Sequence, residues 1–116
     1  MPNKYAAVKV EADGYKFDSK AEYRRYEELR MMVLAGEITD LIVHPEYGIY
    51  VTVFAVKWRH EAKCVGKYTA DFSYYRADEL VVEDVKGGRA TRTEAYRLRK
   101  RCVEASYGIK ITEVEM

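Results

Sequence analysis

The chain has 116 residues, of which 48% are hydrophobic and 34% are charged, with only two prolines. This composition excludes a disordered or low-complexity protein and is typical of one folded domain. No apolar run approaches the roughly 20 residues that cross a bilayer, and no signal-peptide core follows Met1. Two cysteines are too few for a disulfide framework. We therefore expect a soluble, cytoplasmic protein with no membrane partner.

Charge is distributed unevenly, although 20 cations and 19 anions give a net charge of only +1. Between residues 86 and 101, one acid, Glu94, stands among seven cations: Lys86, Arg89, Arg92, Arg97, Arg99, Lys100 and Arg101. The acids concentrate in residues 22–40 and 71–84. This distribution is typical of an anion-binding surface beside a cation-binding one, and also of a solvated helix face. The sequence leaves both interpretations open.

The hydrophobic pattern predicts nine elements. In chain order they are a hairpin over residues 6–17, a helix over 19–35, strands over 41–43 and 49–56 (or one kinked strand), a polar connection over 57–63, strands over 67–75 and 80–86, a helix ending near 106 and a strand over 109–114. Asp18 or Ser19 caps the first helix, and a capping box of Thr91 and Glu94 opens the second. This order predicts an α/β or α+β fold, a mixed β-sheet core flanked by helices.

The two strands over residues 67–86 carry the most informative side chains. Folding them about the turn at Ala77-Asp78 places Asp71 opposite Asp84, with Lys86 on the same face. Two carboxylates about 5 Å apart across a strand pair repel each other. A shared proton, a cation such as Lys86, or a metal ion would offset that repulsion, and a divalent cation does so best. Carboxylates, a backbone carbonyl and waters form the oxygen site that Mg²⁺ or Mn²⁺ prefers, and such a site suits phosphodiester hydrolysis.

Two further acids need an interpretation. Glu22 lies on the inward, otherwise apolar stripe of the first helix, where it can pair with Ser19 in a capping box, reach the metal-bearing edge, or do both. Glu83 is predicted to point into the core, among apolar side chains. An acid followed two residues later by a lysine is a common pattern and occurs three times in this sequence. Of these three triplets, only Asp84-Val-Lys86 lies at the end of an apolar strand. His44 and His60 lack metal-ligand spacing with the cysteines, so zinc is not expected.

Several blocks together resemble a known family: residues 17–22 with Arg25-Tyr26, residues 70–72, and residues 81–87 followed by a basic helix. They are similar to a family of small phage and prophage proteins related to the PD-(D/E)XK nucleases, and more distantly to archaeal-type Holliday junction resolvases and the nuclease subunit of some transposition systems. The resemblance covers about residues 5–114. It implies one restriction-endonuclease-like domain over residues 1–116 and metal-dependent DNA cleavage.

The resemblance also implies a role for individual residues. Asp71 and Asp84 match the two acids, Lys86 the lysine, and Glu22 the acid found on a helix in many members. Two positions depart from the family pattern: Ala70 stands where the family has proline, and Asp84 where glutamate is more frequent. Because of the second departure, it stays open whether Glu83 takes part in metal binding. Asp84 is favoured because it is predicted to lie on the same face as Asp71 and Lys86.

The predicted function is that of a Mg²⁺-dependent (or Mn²⁺-dependent) endodeoxyribonuclease acting on phage-related DNA, with branched DNA among the candidate substrates. Asp71, Asp84 and the Val85 carbonyl would hold the ion. Glu22 would bind a second ion or orient a water, and Lys86 would position or activate the attacking water. The residues expected to bind phosphates are Arg89, Arg92, Arg97, Arg99, Lys100 and Arg101.

Other interpretations remain open from the sequence. A domain of this size reaches one strand of a duplex from one side, so a homodimer is expected if both strands are cut. If the chain is phage-encoded, the bacterial host cytoplasm is its compartment. The alternative function is a non-catalytic nucleic-acid-binding or assembly protein that keeps the nuclease fold. A nuclease directed at RNA is a third interpretation.

Overall fold

The computed structural model describes residues 9–54, 57, 61–87 and 92–116. The strands are β1 (Val10–Ala12), β2 (Tyr15–Phe17), β3 (Thr39–Val43), β4 (Glu46–Val53), β5 (Glu61–Thr69), β6 (Phe72–Arg76), β7 (Glu79–Lys86) and β8 (Ile111–Glu115), and the helices are α1 (Lys20–Leu34) and α2 (Glu94–Tyr107). The fold is mixed α+β, as the order of predicted elements indicated. Within the described ranges, neither helix has the length and apolar character needed to span a bilayer.

A four-stranded mixed sheet forms the centre of the molecule, with the strand order β3-β6-β7-β8. β3, β6 and β7 pair antiparallel, whereas β8 runs parallel to β7. Ser73 pairs with Val82 and Tyr75 with Leu80, so the register predicted from the turn at residues 77–78 is confirmed. Ala77 has a φ of +54°, the left-handed conformation that this tight turn requires.

The strand predicted over residues 67–75 is wrong in one respect, because the chain leaves one sheet and enters another at Ala70-Asp71. β5 pairs with β4 in a separate two-stranded sheet, and β6 belongs to the central sheet. The polar connection predicted over residues 57–63 is also partly wrong, since residues 61–63 already belong to β5. These residues have the polar character of a connection because β5 is exposed to solvent along most of its length.

Each face of the central sheet is covered by one helix. On the α1 face, Phe17, Leu29 and Phe72 are fully buried in one apolar cluster. On the α2 face, Val82, Val103 and Ile111 belong to a second cluster, which also takes Tyr68 and Ala70 from the β5–β6 junction. Both faces of the central sheet therefore carry core packing, because α2 packs on the face that holds Ser73 and Asp84.

The helix ends follow the predicted capping chemistry with one shift. Ser19 caps α1, and its side chain accepts a hydrogen bond from the Glu22 amide. The cap of α2 is Thr93, whose hydroxyl accepts from the Tyr96 amide. The capping box assigned to Thr91 is thus displaced by two residues, and Thr91 itself lies outside the described residues. Gly108 ends α2 with a φ of +65°.

Candidate metal centre

The central sheet opens at one end into a cavity of about 840 Å³. The first turns of α1 and α2, the ends of β5 and β7, and the β5–β6 junction form its walls. The predicted residues Glu22, Asp71, Asp84, Val85 and Lys86 all line this cavity. Three segments that are distant in sequence therefore bring these predicted site residues together.

A bend shared by two strand pairs builds one wall of the cavity. β3 continues into β4 and β5 into β6, and the pairs Val43–Phe72 and Glu46–Thr69 keep one register across the bend. This register places His44 opposite Asp71. The His44 amide donates to the Asp71 carbonyl at 2.9 Å, and the Ala70 amide donates to the Pro45 carbonyl at 3.0 Å. We refer to residues 44–45 and 70–71 as the strand corner.

Asp71 lies in the strand corner, directly before β6, rather than inside a strand. Its Oδ2 accepts a hydrogen bond from the Val85 amide at 2.6 Å, which ties the carboxylate to β7. Its own amide donates to the Glu83 carbonyl at 3.1 Å and to Asp84 Oδ1 at 3.2 Å. The two acids are therefore adjacent, as predicted, and a backbone N–H of one stabilises the carboxylate of the other.

Burial, more than repulsion between these two acids, sets their protonation. Burial first and the neighbouring Glu22 second raise the pKa of Asp71 to about 6. Burial also raises the pKa of Asp84, although Lys86, Tyr96 and the Asp71 amide act in the opposite direction. Both carboxyls are thus costly to ionise in the protein alone, and a bound cation would relieve that cost.

Glu22 takes part in the capping of α1 and also lines the cavity. Its amide donates to the Ser19 cap, while its Oε2 accepts from the Asp18 amide at 3.2 Å and so stabilises the start of α1. Its Oε1 lies 2.6 Å from His44 Nε2. Gly87 allows this close approach of α1, because a Cβ at residue 87 would lie 3.2 Å from the Ala21 Cβ.

Tyr96 of α2 connects the second acid with the lysine. Its hydroxyl donates to Asp84 Oδ2 at 3.1 Å, and the ammonium of Lys86 lies 3.7 Å from the centroid of its ring. A cation over an aromatic face is held electrostatically, so Tyr96 fixes both side chains at the cavity. Nothing in the local sequence indicates this contact.

Glu83 points to the opposite face of β7 and does not line the cavity. Arg25 holds it with two hydrogen bonds of 2.8 Å, from Nε and from one terminal nitrogen, and the Tyr74 hydroxyl also donates to it. With 2% of its surface exposed, Glu83 is a buried, fully paired acid. The predicted preference for Asp84 over Glu83 at the site is consistent with this arrangement.

The basic segment does not form one continuous surface. Arg92 and Lys100 are paired with Glu113, and Arg92 also with Glu115, so these two cations fasten α2 to β8. Arg99 lines the cavity. Arg97 and Arg101 are exposed and diverge from Arg99 by about 160° around the helix axis. Arg89 lies outside the described residues.

Three side chains offer ligand atoms close enough for one metal ion. A carboxylate oxygen of Glu22, a ring nitrogen of His44 and a carboxylate oxygen of Asp71 lie within 4.8 Å of one another. Spacing to the cysteines gave His44 no role, so this residue was missed. The sequence signal was a His-Pro pair between two apolar, β-branched runs. This pair indicates a bend in the chain, but it does not indicate that residue 71 lies opposite residue 44.

Searches for similar proteins give a family but no closer relative. No curated protein and no solved structure matches the chain. A family model described as "Protein of unknown function (DUF1064)" matches residues 2–114, which is nearly the whole sequence. The chain belongs to this family.

Proposed function

We propose that this protein is a metal-dependent endodeoxyribonuclease of the PD-(D/E)XK type. The observation that carries the proposal is the convergence of Glu22, Asp71, Asp84 and Lys86 at one cavity. Three buried or half-buried carboxylates beside one lysine are costly to hold together unless they serve a ligand. A hydrolase that acts on phosphodiesters needs this combination of cation-binding and phosphate-binding groups.

The donor atoms at the cavity suit a divalent cation. Each carboxylate oxygen has about two acceptor sites. Within the described residues, Asp84 Oδ1 and Oδ2 each accept one hydrogen bond, and the single bond to the Asp71 carboxylate goes to Oδ2. Asp71 and Asp84, with Val85 lining the same wall, would hold Mg²⁺ or Mn²⁺, and Glu22 would hold a second ion or a water. The bound cation would polarise the phosphate and lower the pKa of a water.

Lys86 has the position of a phosphate-binding cation at this site. It follows Asp84 by two residues on β7 and therefore lies on the same face of the sheet. Tyr96 supports its ammonium, and its charge lowers the pKa of both Asp71 and Asp84. From this position Lys86 stabilises the negative charge that develops on the phosphoryl oxygens as the bond breaks.

The same cavity wall supplies further contacts for a nucleic-acid backbone. Lys67, which pairs with the exposed Glu46, and Arg99 line the cavity together with Lys86, so three cations share the cavity with the acids. Contacts of this kind fix the register of the substrate without reading its sequence. One site of this kind would cleave one strand of a duplex. We therefore expect a two-fold dimer if the protein cuts both strands.

A non-catalytic nucleic-acid-binding protein would gain nothing from this arrangement. Glu22, Asp71 and Asp84 place negative charge where the backbone phosphates would lie, and that charge repels DNA unless a cation is bound. The two functions therefore differ in what metal removal changes: a pure binder loses DNA affinity at most, whereas a nuclease loses cleavage.

The experiment is an incubation of the protein with supercoiled, linear, single-stranded and four-way-junction DNA, and with RNA of the same shapes. Each substrate is tested with Mg²⁺, with Mn²⁺ and with EDTA. We expect metal-dependent nicks or breaks in at least one DNA form and intact DNA with EDTA. Retention of intact DNA under every condition would refute the nuclease and favour the binding protein. Cleavage of RNA alone would identify an RNA nuclease.

A further inference from the structure

The strand corner places a ring nitrogen, that of His44, beside two of the acids that line the cavity. His44 Nε2 lies 2.6 Å from Glu22 Oε1, and a ligand atom of Asp71 lies within 4.8 Å of both residues' ligand atoms. Ligands bound about 2.1 Å from an octahedral ion lie about 3.0 Å apart when adjacent and about 4.2 Å apart when opposite. The three side chains therefore reach one ion after shifts of a few tenths of an ångström.

The position of His44 is set by the fold rather than by side-chain freedom. The register on both sides of the strand corner pairs residue 44 with residue 71, and the His44 amide is bonded to the Asp71 carbonyl. His44 adopts a φ of +58°, a conformation that few residues other than glycine tolerate. Its side chain is about one-third exposed, so part of the imidazole is accessible to solvent and to an ion.

Tyr68 provides a second, independent sign that this cavity accommodates a polar occupant. Tyr68 lines the cavity and is only 5% exposed. Its hydroxyl has no hydrogen-bond partner among the described residues. A buried hydroxyl without a partner costs about 1–3 kcal/mol, so a water or an anion that enters with the metal ion would satisfy it.

We propose that Glu22, His44 and Asp71 form a mixed nitrogen–oxygen site for a divalent first-row transition ion, with Mn²⁺ bound in preference to Mg²⁺. This inference rests on the proposed function for the catalytic role of the ion. Mg²⁺ is bound through carboxylates and water, whereas an imidazole ligand favours transition metals. His44 is then the residue that selects the cofactor.

Calorimetric titration of the metal-free protein, without DNA, tests this selection. Wild type, His44→Asn and Glu22→Gln are each titrated with Mn²⁺ and with Mg²⁺. Asparagine tolerates the left-handed backbone of residue 44, so His44→Asn removes the ring nitrogen without straining the strand corner. We expect His44→Asn to weaken Mn²⁺ about tenfold or more while Mg²⁺ changes little, and Glu22→Gln to weaken both ions.

Pulsed electron paramagnetic resonance of the bound Mn²⁺ gives a direct readout of the ligand. Wild type should show modulation from a coordinated ¹⁴N nucleus, and His44→Asn should lack it. An unchanged Mn²⁺-to-Mg²⁺ affinity ratio, a ¹⁴N signal that persists in His44→Asn, or no Mn²⁺ binding by wild type would overturn the inference. His44-dependent Mn²⁺ binding without DNA cleavage would leave the metal site standing and refute the nuclease.

Discussion

Replacing Asp71 with asparagine should change how the stability of the metal-free protein depends on pH. Burial and the nearby Glu22 raise the pKa of Asp71 from its ordinary 3.8 to about 6, against the opposing charges of Lys86 and His44. The unfolded chain therefore loses this proton near pH 4, and the folded protein keeps it until about pH 6. Protonated Asp71 contributes stability below pH 4 that is lost as the pH rises through 6.

The magnitude follows from the difference between the two pKa values. A difference of about two pH units corresponds to about 3 kcal/mol in the free energy of unfolding. Asp71→Asn has no proton to lose, so its free energy of unfolding should exceed that of wild type by an amount that grows toward this value between pH 4 and pH 7. Asparagine Oδ1 can still accept from the Val85 amide, which limits other effects of the change.

Urea unfolding in EDTA at several pH values measures this difference. Asp78→Asn, in the exposed turn between β6 and β7, serves as the matched control and should run parallel to wild type. At pH 7, Mn²⁺ at a hundredfold excess over its dissociation constant should stabilise wild type by about 2.7 kcal/mol, and Asp71→Asn by much less. Parallel pH curves for Asp71→Asn and wild type would refute the reasoning.

Three further changes test separate contacts. Glu83→Gln breaks a buried, doubly bonded ion pair and should cost about 3 kcal/mol in urea unfolding; a loss well under 1 kcal/mol would mean that the pair adds no stability. Tyr96→Phe removes the hydroxyl that lowers the pKa of Asp84, so the acid limb of the pH–rate profile should move to higher pH at unchanged DNA affinity, and an unmoved limb would contradict the contact. Arg99→Ala should reduce the slope of log DNA affinity against log salt concentration by about 0.9, whereas Arg97→Ala, on the other side of α2, should not. Equal effects of the two variants would contradict the assignment of Arg99, and not Arg97, to the DNA-contacting side of α2.

Local patterns predicted the features that depend on near neighbours. The register of β6 and β7 follows from a turn of fixed length, which brought Ser73 opposite Val82 as expected. Asp18 or Ser19 was predicted to cap the first helix, and Ser19 is the cap. The facing of Asp84 and Lys86 follows from the two-residue repeat of a strand.

Features that depend on long-range pairing could not be predicted from the same patterns. Residues 67–75 were predicted as one uninterrupted strand because aromatic and β-branched side chains stand on both sides of Asp71. The break at Asp71 arises from pairing with His44, 27 residues earlier. The pairing of Arg92 with Glu113 likewise depends on where β8 returns to the sheet. Both sets of contacts bear on the candidate site, since one brings His44 beside Glu22 and Asp71 and the other pairs a cation of the basic segment with an acid.

Single-turnover cleavage of DNA by the Lys86→Ala variant tests the central claim most directly. Wild type, Lys86→Ala and Lys63→Ala are compared with Mg²⁺ and with Mn²⁺, and DNA binding is measured alongside. We expect Lys86→Ala to bind DNA nearly as wild type does but not to cleave it, because its charge acts mainly on the transition state. Lys63→Ala, in exposed β5, should change the rate less than about tenfold. Cleavage by Lys86→Ala at the wild-type rate, or no cleavage by wild type with either ion, would contradict the account.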